Sequence, residues 1–517
     1  MACRIKIKLI SVMLCPLLLM SCTAVFWQPY IFPRNTIPTE ASVKYVKCHM
    51  KNHELYLLEN WIINEEKMTI SGTGAYFGIK RNLIERGKFE LKLTNIALLE
   101  TNFPEEISVG GKTAMAVMLG LTGMIALFCL SNPKACFGSC PTFYAYDGED
   151  YSLQAEGFSS SIAPAFEKTD IDALYLSSTP ERTVDVIMRN EALETHAVRN
   201  IQLIAVERPK DGRVYQTQEG IFYATDSQLA PVTCQAENGD VLDKVIRFDD
   251  NEYYSLTDSS DLLIEEMLEL EFPAIEGDVG LVVSTRNTLL NTFLFYQSIA
   301  YMGSNYFDYL VNFDAEHAAT PNKNKSMLNL LGNIKVFTLN ENGNERFIGE
   351  IGETGPIATE VKLLPIPDND VNNPMKLRLR MTRGNWRINH ISLAEITGEI
   401  TPLKLSPVEV LTEESDEGTL SRINDPAEYL YTYPGDEYTF RFQLPDTMTN
   451  PELFLVSTGY YYEWMRAEWI DEEDPSMLYM VLNQPELALK KLAGRYKEIE
   501  DSMESHFWNS KYGRLGE

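Results

Sequence analysis

From residue 88 onward the chain keeps returning to one pattern: short runs in which apolar and polar side chains alternate, punctuated along the chain by glycine and proline turns. Phe89, Leu91 and Leu93 alternate with Lys88, Glu90 and Lys92. Leu268, Leu270 and Phe272 alternate with Glu269 and Glu271, and Leu377 and Leu379 with Lys376, Arg378 and Arg380. A period of two puts successive side chains on opposite faces, which suits a strand with one face buried and defeats an amphipathic helix. The chain is therefore expected to be mainly β, with helices confined to a few places. Phe143–Tyr146 and Tyr151–Gln154 flank Asp147-Gly148, a dipeptide that favours a tight hairpin through positive φ. Thr183–Met188, Asn200–Val206 and Leu281–Ser284 read as further strands.

Two stretches break the pattern. Leu289, Phe293, Tyr296, Ala300 and Phe307 recur at helical steps, so 287–311 is expected to be one helix, apolar on most sides. Leu487, Leu489, Leu492, Tyr496, Ile499 and Met503 mark a C-terminal helix over 485–508. Between them, the strands of 333–470 are expected to form an antiparallel, jelly-roll-like sandwich. The resulting division is a leader at 1–21, a tether at 22–39, a small β-rich domain at 40–110 and an apolar segment at 111–134. A β-rich domain with the long helix follows at 135–318, then the sandwich at 330–472 and a helical end at 473–517.

Charge separates the same regions. The whole chain of 517 residues carries −29, which opposes any broad grip on nucleic acid phosphates. Residues 1–134 hold 15 basic and 10 acidic side chains, leaving −34 for the remainder. Eight cysteines are too few for a disulfide scaffold of this length. Cys136 and Cys140 enclose three residues and form a candidate local disulfide if the segment lies outside the cytoplasm, or free thiols if it does not.

The N-terminus has the anatomy of an export signal: Arg4, Lys6 and Lys8, then the uncharged stretch Leu9–Met20, then Ser21 before Cys22. Leu19-Met20-Ser21-Cys22 resembles the lipobox of bacterial lipoproteins, which implies cleavage before Cys22 and a lipid on that cysteine. A second apolar stretch, 113–131, has no charged residue and is long enough to cross a bilayer as a helix. If it does cross, the acidic body would face the cytoplasm. An extracytoplasmic body with 113–131 re-entrant, interfacial or protein-buried is the preferred reading.

No motif marks a catalytic centre. Gly110-Gly111-Lys112-Thr113 lacks the upstream glycine of a phosphate loop, whose place is taken by Glu106. No G-x-S-x-G elbow is present. His49 and His53 beside Cys48 and Glu54 are expected at the surface, and neither metal nor cofactor is expected. The acidic run 471–474 reads as a helix start. The densest chemical feature is aromatic: Tyr460, Tyr461, Tyr462, Trp464 and Trp469, with Trp386 further upstream. Such rings stack on sugar faces, anchor a protein partner, or fill a core.

Several of these words together, Cys140-Pro141, Tyr146-Asp147-Gly148, Asn190-Glu191, Thr285-Arg286-Asn287-Thr288, Thr382-Arg383-Gly384-x-Trp386 and Tyr460-Tyr461-Tyr462-Glu463-Trp464, resemble a family of exported bacterial (lipo)proteins with no assigned activity. The resemblance runs from about 136 to 508 and implies a bacterial source and an envelope location. Residues 375–396 are similar to the last strands of galactose-binding-like sandwiches. The expected function is a non-enzymatic envelope lipoprotein with a binding or assembly surface, on the outer membrane in preference to the inner, with a protein or glycan partner. The alternatives are a glycan-binding protein using Trp386, Tyr460, Tyr461, Tyr462 and Trp464, and a hydrolase with an unrecognised carboxylate pair.

Overall fold

The computed structural model describes residues 23–32, 43–108 and 140–510, apart from 149, 177–181, 211, 250, 276, 320–326, 341, 353–354, 368–373 and 413–417. The leader, Cys22, Cys136 and the apolar segment 113–131 lie outside the described residues. The chain divides into two compact units, one ending at Cys136 and one running Phe137–Lys511.

The first unit is a six-stranded antiparallel sheet of Thr23–Ile31, Tyr45–Met50, Leu55–Asn64, Thr69–Phe77, Leu83–Lys92 and Ile96–Ser108. Thr23–Ile31 pairs along its whole length with Glu100–Ser108, so the span expected to be a tether contributes an edge strand instead. Val46, Cys48, Leu58, Trp61, Ile70 and Leu91 form its core. The alternation at 88–93 works as expected, with Leu91 buried and Lys88, Glu90 and Lys92 exposed.

The second unit is nested. Strands from 142–207 and from 403–463 form one sandwich, and 213–400 is inserted between them as a second. In the outer sandwich, one sheet holds Thr142–Tyr146, Tyr151–Glu156, Thr183–Arg189, Glu409–Leu411 and Glu437–Gln443. The other holds Lys168–Leu174, Glu194–Glu207, Leu403–Leu405, Leu430–Thr432 and Pro451–Glu463. Their facing residues, among them Phe143, Val186, Phe440, Leu203, Leu455 and Tyr461, form one core. Each such large apolar side chain contributes on the order of 1.5–3 kcal/mol on burial. The Asp-Gly hairpin is present, with Gly148 at φ 112°.

The inserted sandwich packs a five-stranded sheet against a six-stranded one. Leu268, Leu270, Phe272, Leu377, Leu379, Val283, Trp386 and Ile391 fill the space between. A smaller cluster of Ile204, Val206, Phe454 and Val456 with Val214, Phe222 and Ile400 joins the two sandwiches. The division at 318–330 therefore does not separate two folds. Glu265–Phe272 pairs with Met375–Thr382, and Glu194–Glu207 pairs with Pro451–Glu463.

The helix expected at 287–311 is two, Leu290–Met302 and Tyr306–Ala319, because Gly303 turns to φ +53° between them. A Cβ there would come within 2.5 Å of Glu473. The C-terminal helices are Pro475–Asn483 and Pro485–Ser510. Asp474, last of the acidic run, caps the first of them by accepting from the backbone N–H groups of Ser476 and Met477. Among the described residues no helix is long and apolar enough to cross a membrane.

Candidate functional site

The strand Pro451–Glu463 sorts the aromatic run onto two faces. Tyr461 and Glu463 point into the sandwich, opposite His196 and Glu194 on the neighbouring strand; Tyr460 and Tyr462 point outward, opposite Ala197 and Thr195.

On the inward side, Glu194 and Glu463 are cross-strand partners and both are fully buried. His196 Nε2 lies 2.6 Å from Glu194 Oε1, and Thr432 Oγ1 lies 3.0 Å from His196 Nδ1. The Tyr296 hydroxyl donates to Glu463 Oε1 at 2.8 Å, and Arg466 Nη2 to Glu463 Oε2 at 3.3 Å. Burial pushes the Glu194 carboxyl up to about 8, with Arg466 pulling the other way. Burial also pushes Glu463 up to about 8, reinforced by Glu194 and opposed by Arg466 and Tyr296. The same burial drives His196 down to about 3. One guanidinium thus faces two carboxyl groups and a neutral imidazole, so the pair retains a proton at neutral pH. Glu156, also buried, is pushed up to about 8 by burial, against the N–H groups of Ile357 and Ala358 and the Cys140 thiol, whose Sγ lies 3.6 Å away.

These are the interior carboxylates that a sequence reading cannot pair. Neither Glu194 nor Glu463 exposes any surface to a substrate. One recess of this unit, bordered by Ser159, Asn291, Phe295 and Tyr461, measures about 60 Å³, far below the roughly 300–1,000 Å³ of ligand pockets.

The outward side is different. Beyond Ile204, Val206, Phe454 and Val456, which the inserted sandwich covers, the same sheet face changes to Thr169, Thr458, Arg199 and tyrosine. Tyr429, Tyr460 and Tyr462 are in edge contact, with centroids 5.5 Å apart for Tyr429–Tyr460 and 5.3 Å for Tyr460–Tyr462. Tyr431 lies 6.0 Å from Tyr429, is 47% exposed, and shares a hydrogen bond with Tyr460 through their hydroxyls. The Arg199 guanidinium lies 4.2 Å over the Tyr429 ring and donates to both oxygens of Glu167, at 2.7 and 3.0 Å. Ala197, between Tyr431 and Tyr460 in register, is itself fully buried.

The expected ligand-contact residues therefore part company. Trp386 is buried in the inserted sandwich, and Tyr461 in the outer one. Trp464 is buried with its indole N–H donating to Thr195 at 2.8 Å. These three rings serve packing in this structure. Tyr460 floors the tyrosine face and Tyr462 lies half-buried beside it. Tyr431 and Arg199, on other strands, and Tyr429, just ahead of one, were missed because they are remote in the chain from the aromatic run. The legible signal was Tyr429-Leu430-Tyr431, a period-two pair of tyrosines around a core leucine.

In the first unit His49 is buried, contrary to the surface position expected. Its Nε2 lies 2.6 Å from Glu100 Oε2, and Lys47 donates to the other oxygen. Among the described residues no group of acids, histidines and cysteines could hold a metal ion.

No family model matches the sequence, and no curated protein matches it. Among solved structures it is similar to BuGH86wt in complex with neoagarooctaose, at a TM-score of 0.16 and 6% identity, over 44% of this chain and 34% of that one. It is also similar to BpGH86A, a beta-porphyranase of glycoside hydrolase family 86 from the human gut bacterium Bacteroides plebeius, at 0.16 and 6%, over 48% and 43%. The chain thus spans less than half the length of either. Likeness at that level carries no argument about fold or activity.

Proposed function

We propose that this chain is a bacterial envelope lipoprotein, held to a membrane by lipid on Cys22, whose β-rich body binds a partner rather than performing catalysis. The observation that carries the binding role is the change of residue type along one sheet face. The face is aliphatic at Ile204, Val206, Phe454 and Val456, which pack with the inserted sandwich, and changes further along to tyrosine, threonine and arginine, where Tyr431 and Thr169 are exposed. Tyrosine tolerates water while offering a large rigid ring, which suits a contact surface. The acid pair Glu194–Glu463 acts in this reading as internal support for the same strands.

Support for the anchor is the leader anatomy at 4–22 and the resemblance to exported lipoproteins. Growth of a bacterial host on an alkyne fatty acid should label the protein, and Cys22→Ala should abolish the label. Equal labelling of both forms overturns the lipid assignment.

A further inference from the structure

We propose that the tyrosine face of the outer sandwich, where exposed Tyr431 and half-buried Tyr429 and Tyr462 surround a buried Tyr460 beside Arg199 and Glu167, is a binding site for a neutral glycan chain. The inference rests on the binding role proposed above and names its ligand class.

Three features of the face select that class. Sugar rings present a C–H face that packs on an aromatic ring and a rim of hydroxyls that need hydrogen-bond partners. Tyr431, the most exposed of the four, supplies the ring, with Tyr429 beside it. Thr169 and Thr458, whose hydroxyls lie 2.8 Å apart at the edge of the face, supply exposed polar groups that both donate and accept. The third feature is charge. Arg199 is matched by Glu167 in a two-point pair and also donates to the Pro426 carbonyl at 2.7 Å. That pair cancels the attraction for a polyanion that a lone arginine would exert. The surrounding chain at −29 repels anionic polymers further. An uncharged polyhydroxylated chain meets neither objection. Tyr431 and Thr169 are exposed, and Tyr429, Tyr462 and Thr458 are half-buried, a shallow surface that suits a stretch of polymer laid across it in preference to a single enclosed sugar.

The test uses the full chain in mild detergent, run on native gels cast with β-1,3-glucan, β-1,4-glucan, α-mannan or galactan, with polygalacturonate as the anionic comparison. At least one neutral matrix should retard the wild-type protein. Tyr431→Ala should weaken that retention about tenfold, the loss expected for one stacking ring. Tyr431→Trp should keep it, and Tyr479→Ala, at an exposed tyrosine of the helix Pro475–Asn483, should leave it unchanged. Migration unaffected by all four neutral matrices overturns the proposal. So does equal retention of wild type and Tyr431→Ala, or retardation by polygalacturonate alone. Circular dichroism of Tyr431→Ala excludes unfolding, and Tyr431→Trp remains informative if the alanine form is unstable. Failure here leaves a binding role for another ligand class intact, and failure of fatty-acid labelling leaves this site intact.

Discussion

Glu100 in the N-terminal unit and the Glu194–Glu463 pair in the C-terminal unit are all buried carboxyl groups beside a histidine and a cation, yet they take opposite protonation states. Burial opposes ionisation of Glu100, but the Lys47 ammonium and the His49 hydrogen bond overcome it, and the group is held down at about 2. In the larger unit two carboxyls share Arg466, and burial leaves both raised to about 8. The difference teaches that the count of cations per carboxyl, more than depth alone, decides whether a buried acid ionises.

The pH dependence follows with opposite signs. Glu100, ionised in the fold well below its ordinary 4.5, contributes stability that is present above about 4.5 and lost as pH falls toward 2. Glu194 and Glu463, protonated in the fold, contribute stability that is present below about 4.5 and lost as pH rises through 8. Hydrogen exchange of the full chain between pH 3 and 9 should show peptides over 45–50 opening at the acid end and peptides over 194–205 at the alkaline end. Parallel pH profiles for the two would break the comparison.

The largest mutational effect is expected at Arg466, which is buried against Glu463 and lies 4.8 Å over the Trp469 ring. Arg466→Met leaves two buried acids with no cation and should cost about 3–5 kcal/mol at pH 8. Denaturant titration at pH 5, where both carboxyls are protonated in either form, should show a smaller loss. A cost independent of pH would mean that the packing of Arg466 on its ring neighbours, and not its charge, matters. Next comes Glu100→Gln. It removes an ionised partner of Lys47 and His49 and should cost about 2 kcal/mol, a value reduced because Lys47 is partly solvated. Glu194→Gln, which replaces a group already neutral, should cost less than Glu100→Gln at pH 7, and the reverse order would remove the distinction. The smallest effect, about 1 kcal/mol, is expected for Tyr296→Phe, which deletes the hydroxyl donating to Glu463. Infrared titration of the protonated carboxyl band should then move to higher pH, since that hydrogen bond favours the ionised form.

Much of the local structure was legible. The Asp147-Gly148 turn, the alternation over 268–272 and 376–380, and the C-terminal stripe from Leu489 to Met503 each depend on neighbours within a few residues. The nesting was not legible. Val186 lies beside Phe440 and Ala145, and Leu203 beside Leu455. Pairing of strands separated by some 250 residues follows from which faces can be buried together, and periodicity within one strand carries no record of its partner. Trp386 and Trp464 looked like ligand aromatics for the same reason, since composition cannot tell a ring that fills a core from one that faces water.

What the residue order settled alone was the alphabet of elements: strands where the period is two, turns at Asp-Gly, and helices at the C-terminal end. Tertiary structure alone decided that residues 213–400 interrupt another sandwich, that Tyr461 faces inward while Tyr431 faces out, and that Glu194 keeps its proton whereas Glu100 does not. Each of those outcomes depends on solvent exclusion and on distances between groups remote in the chain, and these exist only once the sheets have closed on one another.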